Sequence, residues 1–197
     1  MKFHIFGVKV EISYVFICFL TLFIGMDISS LFLPVFCSIF LHEIGHIVPL
    51  FYFNCKIREL NLKIGAIGVI FDDNLTKLER IISQLSGPMT NLLLSGICLI
   101  FKNKLLWAIN TILYIYNLLP VHYLDGGSII KTSLSGIATE DKINTILSIN
   151  TIILVFVSII LFIFLYINGI RNYSLLLFAL YLILPLIVKN LLKDDKN

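Results

Sequence analysis

Leu31-Phe-Leu-Pro-Val-Phe-Cys-Ser-Ile-Phe40-Leu-His42-Glu43-Ile-Gly-His46-Ile-Val-Pro-Leu-Phe51 decides how this chain is to be read. An apolar stretch running from Ile28 to Phe53 encloses three ionisable side chains. Histidines four residues apart share one helix face. On that face two imidazoles can grip a single Zn²⁺, and the glutamate between them can act as general base toward water. The same pattern occurs in soluble zinc hydrolases, so it does not by itself place the chain in a membrane. Its neighbours do: Leu33, Val35, Phe36, Ile39, Phe40 and Leu41 precede it, and Ile47, Val48, Leu50 and Phe51 follow. Ionisable groups at such depth are costly to bury and default to function. The competing reading is a His/Glu cluster lining a transporter cavity.

Working outward, the 197 residues are 58% hydrophobic and only 14% charged, with a mean hydropathy of +0.97. This composition predicts an all-α polytopic membrane protein and leaves little room for a soluble domain. Six apolar segments are readable, at about 12–26, 28–53, 81–101, 105–124, 143–167 and 172–188, and most are long enough to cross a bilayer. Met-Lys-Phe-His reaches the first of them without an A-x-A-like cleavage site, which predicts a retained span and not a removed signal peptide. With a cytosolic N-terminus, Lys2, Lys9, Lys56, Arg58, Lys63, Lys77, Arg80, Lys131, Lys142, Lys189, Lys193 and Lys196 fall inside. Only Lys102, Lys104 and Arg171 fall outside, so both termini are expected in the cytosol. The formal charge of +3 is then topological, and no basic cluster interleaved with aromatics suggests a nucleic-acid surface. Cys18, Cys37, Cys55 and Cys98 have no CxxC spacing and read as small hydrophobes. Residues 1–197 are expected to form one integral-membrane domain.

A second polar intrusion is Asn117-Leu-Leu-Pro120-Val-His122-Tyr-Leu-Asp125-Gly126-Gly127. Catalytic zinc commonly takes three protein ligands plus water, so two histidines leave the site one short. Asp125 is the best candidate, because neighbouring glycines permit close approach of the backbone. An Asp-Gly turn at a helix end and a proton-carrying carboxylate remain open for Asp125, and His122 is the rival ligand. His4 reads as solvated. Ser86-Gly87-Pro88-Met-Thr-Asn91 enters the third apolar segment, where Asn91 needs a polar partner and reads first as helix-packing glue. Between segments two and three lies the long polar stretch 54–80. Glu59–Ile64 alternates polar and apolar residues, and Gly65 and Gly68 punctuate the run to Phe71, predicting a short membrane-associated β-hairpin or loop. Asn74 is the expected cap of an amphipathic helix carrying Leu75, Leu78, Ile81, Ile82 and Leu85.

Together these residues resemble the site-2 protease family of intramembrane zinc metalloproteases. The resemblance rests on His42-Glu43-x-x-His46, Gly87-Pro88-x-x-Asn91 and Asn117-x-x-Pro120-x-x-x-Leu124-Asp125-Gly126, whose order and spacing cover about the central half of the chain. Within the family the chain looks most like the six-span sporulation branch, the stage IV sporulation protein FB type. That resemblance implies one Zn²⁺ per chain held by His42, His46 and Asp125, with Glu43 activating water and Asn117 near the scissile peptide. It also implies that the 59–71 segment is the family's membrane-embedded β-loop, so Gly65, Gly68 and Asn91 join Asn117 as candidate substrate-contacting positions. The sporulation branch usually carries a C-terminal nucleotide-sensing domain of paired CBS motifs, and the envelope-stress branch a PDZ insertion. Neither is expected here, which leaves the mode of control and a role in sporulation open.

The expected function is hydrolysis of a peptide bond in a membrane-tethered protein, such as a sigma-factor precursor or an anti-sigma factor. The expected partners are that substrate and the lipid bilayer, with a regulatory membrane protein or a second copy of the chain left open. The alternative is a metal-binding membrane protein without hydrolase activity, such as a divalent-cation transporter. That class typically shows inverted repeats, which the sequence does not display.

Overall fold

The computed structural model describes residues 2–5, 8–13, 21, 31–63, 66–71, 74–171 and 173–194. The first apolar segment, 12–26, lies mostly outside the described residues, as does Gly65. The chain divides into two compact units, residues 1–118 and 119–197.

The first unit combines a sheet with helices. Strands β1 (Lys2–Ile5), β2 (Val8–Ile12), β3 (Ile57–Lys63) and β4 (Ala66–Phe71) lie side by side in that order. β1 and β2 pair antiparallel, with Lys2 opposite Glu11 and Ile5 opposite Val8. β3 and β4 also pair antiparallel, Lys63 facing Ala66, with a register irregularity between Ile57 and Glu59. β2 and β3 run parallel, Lys9 beside Glu59, and Lys9 Nζ reaches Glu59 Oε1 at 3.0 Å. The strand containing Glu59 is thus flanked on both sides, and His4 sits in β1 opposite Lys9.

Helix α1 (Phe32–Tyr52) carries the two histidines, α2 (Lys77–Ile100) follows the sheet, and α3 (Lys104–Asn117) closes the unit. The helix after the hairpin begins later than Asn74, because Thr76 has the better partner. Glu79 stands three residues on, and the two complete a capping box: Thr76 Oγ1 accepts from the Glu79 N–H, while Glu79 Oε2 accepts from the Thr76 N–H at 2.8 Å. These bonds, the backbone one foremost, hold the exposed Glu79 carboxyl below the usual carboxylate range. Asn103 caps α3 through the Leu106 N–H.

The helices of this unit are inside-out by the standards of a water-soluble core. The buried face of α1 is Ser38, His42, Gly45 and Leu50, and that of α2 is Ser83, Gly87, Pro88, Asn91 and Ser95. The large apolar side chains point away: Leu33 is 64% exposed, Phe51 66%, Leu93 69% and Ile100 77%. Burying small and polar groups against each other while presenting leucine and phenylalanine outward suits a lipid solvent, where helices associate through close packing and hydrogen bonds. Gly45 is a point of close approach between α1 and α2: a Cβ there would run into Thr90 Oγ1 and the Ser86 carbonyl.

The second unit holds α4 (Asp125–Leu134), α5 (Glu140–Ile167) and α6 (Ser174–Asp194). Along α5 the buried stripe Ile143, Leu147, Thr151, Val155 and Ser158 advances by three or four residues, one helix face. Ala179 and Leu182 of α6 are buried in the same unit. α1 and α5 are long and apolar enough to cross a membrane. The apolar segment 105–124 does not continue as one helix. It stops at Asn117 and turns through Leu118–Leu124, where Pro120 cannot donate to a helical ladder.

Candidate metal centre

His42 and His46 lie one turn apart on α1, their ring centroids 4.7 Å apart and their planes nearly perpendicular at 85°. Their Nε2 atoms approach to 3.1 Å. What each ring does at its other nitrogen decides what those Nε2 atoms offer. His46 Nδ1 lies 2.8 Å from the Ser83 carbonyl, which can only accept, so the neutral ring carries its proton on Nδ1. His42 Nδ1 lies 2.5 Å from Asn91 Oδ1. The Asn91 amide is oriented by its own donors, which face the Ser38 carbonyl at 3.3 Å and Asn110 Oδ1 at 3.0 Å. Its oxygen is therefore the atom turned to His42, and that ring too is protonated on Nδ1.

Both neutral imidazoles consequently present an Nε2 lone pair toward the same point. Two nitrogens each about 2.05 Å from a tetrahedral zinc ion would stand roughly 3.3 Å apart, close to the separation found. Locking the far nitrogen of each ring to a carbonyl-type acceptor is the support a metal-binding histidine requires. The pair fits a divalent ion of the zinc type by donor chemistry, tautomer and spacing. Gly87 completes the cradle: a Cβ there would overlap Nε2, Cε1 and Cδ2 of His46, so this ring position exists only because residue 87 lacks a side chain.

Glu43 follows His42 on α1, about 100° further round the axis, and is half-buried. Asn91 is fully buried, and its oxygen supports His42 from behind. Packing glue, the first reading of its sequence, understates what it touches. Asn117 ends α3, half-buried, and its Nδ2 donates to the Leu113 carbonyl of its own helix at 3.0 Å. Gly68 lies in β4 opposite Asn61.

In the second unit Asp125 is the first residue of α4, where the helix dipole favours a carboxylate. The Asp-Gly pair therefore opens a helix and is not a turn at the end of one. Gly127 is demanded by its own surroundings, since a Cβ would strike the Val121 carbonyl where residues 121–124 fold back over the first turn of α4. His122 Nε2 faces the Asn144 carbonyl at 3.2 Å and Ser148 Oγ at 3.3 Å, both on α5.

Sequence reading passed over Ser38, Ser83 and Asn110. A signal existed for two of them. Ser38 is one helical turn before His42 on the same face, and Asn110 is a lone amide in the apolar run Leu105–Tyr116.

No protein-family model matches the chain. Among curated proteins, zinc metalloprotease MJ0392 of Methanocaldococcus jannaschii is 31% identical over an alignment 153 residues long that covers 68% of this chain and 44% of that protein. The chain thus spans less than half the length of the curated relative it matches. Among solved structures, the site-2 protease from Methanocaldococcus jannaschii superposes with a TM-score of 0.62 at 25% identity, covering 92% of this chain and 91% of that one. A relative of 31% identity, a shared fold over nearly the whole length and a supported histidine pair on an apolar helix agree: in sequence and in fold the chain is similar to the site-2 protease family.

Proposed function

We propose that this chain is an intramembrane zinc metalloprotease that hydrolyses a peptide bond of a membrane-tethered protein. The observation that carries the reading is the pair of Nε2 atoms of His42 and His46, 3.1 Å apart on an apolar helix, each backed at Nδ1 by an acceptor. The Asn117-x-x-Pro120-x-x-x-Leu124-Asp125-Gly126 motif supports Asp125 as the third ligand beside His42 and His46, two imidazoles and a carboxylate being a ligand combination of catalytic zinc. The name of the curated relative, a zinc metalloprotease, supports zinc as the metal.

When bound, the zinc would polarise the scissile carbonyl and bring the pKa of a water toward neutrality. Glu43 takes the proton of the attacking water and delivers it to the leaving amine. Asn117, at the end of α3, orients the substrate or donates to the developing oxyanion. Among the described residues β4 is the edge of the sheet beyond β3, so an extended substrate segment adds beside β4, near Gly68, and not beside the already flanked β3. Asn91 is assigned to His42 and not to substrate.

Residues 1–197 act as one membrane domain of about six spans, both termini cytosolic, with the β3–β4 hairpin at the membrane face. The inside excess of lysine and arginine supports that orientation. A sigma-factor precursor or an anti-sigma factor is the substrate class that suits release of a soluble product.

The test is co-expression with candidate membrane-tethered factors, with and without Glu43→Gln. Shortened products with the native chain and none with the variant, at equal zinc content, are expected. Turnover unaffected by Glu43→Gln would point to a metal-binding membrane protein of the divalent-cation transporter kind.

A further inference from the structure

Behind the histidines lies a buried amide chain with a single direction. Asn110 is 2% exposed, Ser38 3%, and Asn91 not at all. Asn110 Nδ2 donates to the Leu106 carbonyl at 2.9 Å and to Ser38 Oγ at 3.1 Å. A backbone carbonyl only accepts, so the Asn110 nitrogen is held there and its oxygen must face the other way, toward Asn91 Nδ2. Asn91 in turn directs its oxygen at His42 Nδ1. Each amide inherits its orientation from the one before, and the first takes it from the main chain of α3. Reversing either amide would set nitrogen against nitrogen or oxygen against oxygen in a dry interior, an arrangement expensive enough to forbid.

We propose that Asn110 is a positioning residue that fixes the tautomer of His42. Acting through Asn91, it keeps the proton on Nδ1 and the Nε2 lone pair available to a metal. Without the Asn110 oxygen, only the longer bond to the Ser38 carbonyl restrains the Asn91 amide. If Asn91 turned over, the imidazole would have to accept at Nδ1 and carry its proton on Nε2, the atom needed for ligation. His46 does not depend on this chain, because its Nδ1 is held directly by the Ser83 carbonyl. The proposal rests on His42 being a metal ligand, but the tautomer itself can be read without any metal.

The test uses the full chain in detergent micelles, stripped of metal. Both histidine tautomers are read from ring nitrogen shifts near pH 8.5, about two units above the ordinary histidine range. Asn110→Leu and Asn110→Ala remove the acceptor. Asn110→Asp, kept protonated by burial, holds a carbonyl oxygen facing Asn91 and a hydroxyl that can donate to the Leu106 carbonyl. Ser38→Ala removes one neighbour of the network but leaves its direction intact. Expected is the Nδ1–H form at His42 in the native chain, Asn110→Asp and Ser38→Ala, and a mixture of tautomers in Asn110→Leu and Asn110→Ala, with His46 unchanged throughout. Zinc affinity, measured by chelator competition, should fall about 10- to 100-fold in the two acceptor-less variants only, as for loss of a ligand's supporting partner. A native His42 tautomer in either folded acceptor-less variant overturns the proposal, as does an equal shift in Ser38→Ala. Should neither acceptor-less variant fold, the amide serves the fold and the proposal is likewise overturned. Native tautomers without zinc binding in the unmodified chain would instead overturn the zinc reading and leave the tautomer assignment standing.

Discussion

Replacing Gly87 by alanine should separate metal affinity from stability. The added methyl falls on Nε2, Cε1 and Cδ2 of His46, so the ring must leave its place or the helices must part. Forcing a methyl into a packed interior costs typically about 1–3 kcal/mol if nothing yields. The ring is the part that yields, and swinging it away gives up the Nδ1 bond to the Ser83 carbonyl, worth about 0.5–1.5 kcal/mol. Against that, alanine is favoured over glycine in a helix interior by roughly 0.8–1.0 kcal/mol. The two nearly cancel, so the fold should change by less than about 1 kcal/mol. The metal has no such compensation. A displaced His46 leaves His42 without its partner 3.1 Å away, and zinc affinity should fall at least 10- to 100-fold, about 1.4–2.7 kcal/mol. Chelator competition measures the affinity, and thermal unfolding of the metal-free chain in detergent measures the fold. Zinc affinity within threefold of native would refute the reasoning, because it would mean that the ring position enforced by Gly87 is not the one that binds.

Asp125→Asn should weaken zinc binding far more than His122→Ala, since it removes a formal charge from the ligand set, whereas His122 is engaged with Asn144 and Ser148; metal analysis of both variants decides, and the reverse ranking would make His122 the ligand. Gly127→Ala should destabilise the second unit by about 1–3 kcal/mol, because its methyl meets the Val121 backbone carbonyl, which cannot rotate away as a side chain would; thermal unfolding checks it. For Glu79, a carboxyl held below its unfolded value contributes stability that is present at neutral pH and is lost as the pH falls through the folded value. Acid should therefore fray the start of α2 first, seen as faster amide exchange at residues 77–80; Thr76→Ala, which keeps the backbone N–H, should only reduce that pH dependence, and Glu79→Gln should remove it.

The histidine helix was legible because its motif and its apolar flanks carry the same period, and a helix is a local structure. Alternation is likewise a local signal, and strands lie at Ile57–Lys63 and Ala66–Phe71. The N-terminal strands were not read, although Val8-Lys-Val-Glu-Ile12 alternates clearly, because a strand's identity depends on a partner and β3 is far along the chain. The α2 start was misplaced by two residues because asparagine and threonine both cap, and only the reciprocal bonds of Glu79 choose between them. At the site, the motif residues were readable as chemistry. The supporting groups were not: Ser38, Ser83 and Asn110 act through a direction of hydrogen bonding that exists only once three helices are packed. Ser83 contributes only its backbone carbonyl to His46, which no side-chain motif can announce.

The parallel pairing of β2 with β3 also sets a timetable for the newborn chain. Lys9 and its partner Glu59 are separated by 50 positions, and α1 lies wholly between them. At about 5–20 residues per second of synthesis, β2 must wait on the order of 3–10 s for its neighbour. Until then it has only β1 beside it, and a two-stranded hairpin is marginally stable alone, with an open edge able to recruit the wrong chain. The sheet therefore closes only after the histidine helix has left the ribosome, and closing it joins the segments on either side of that helix. Chains stalled before Ile57 would carry the histidines but not the clasp, and would meet the cell's quality control as sticky edges.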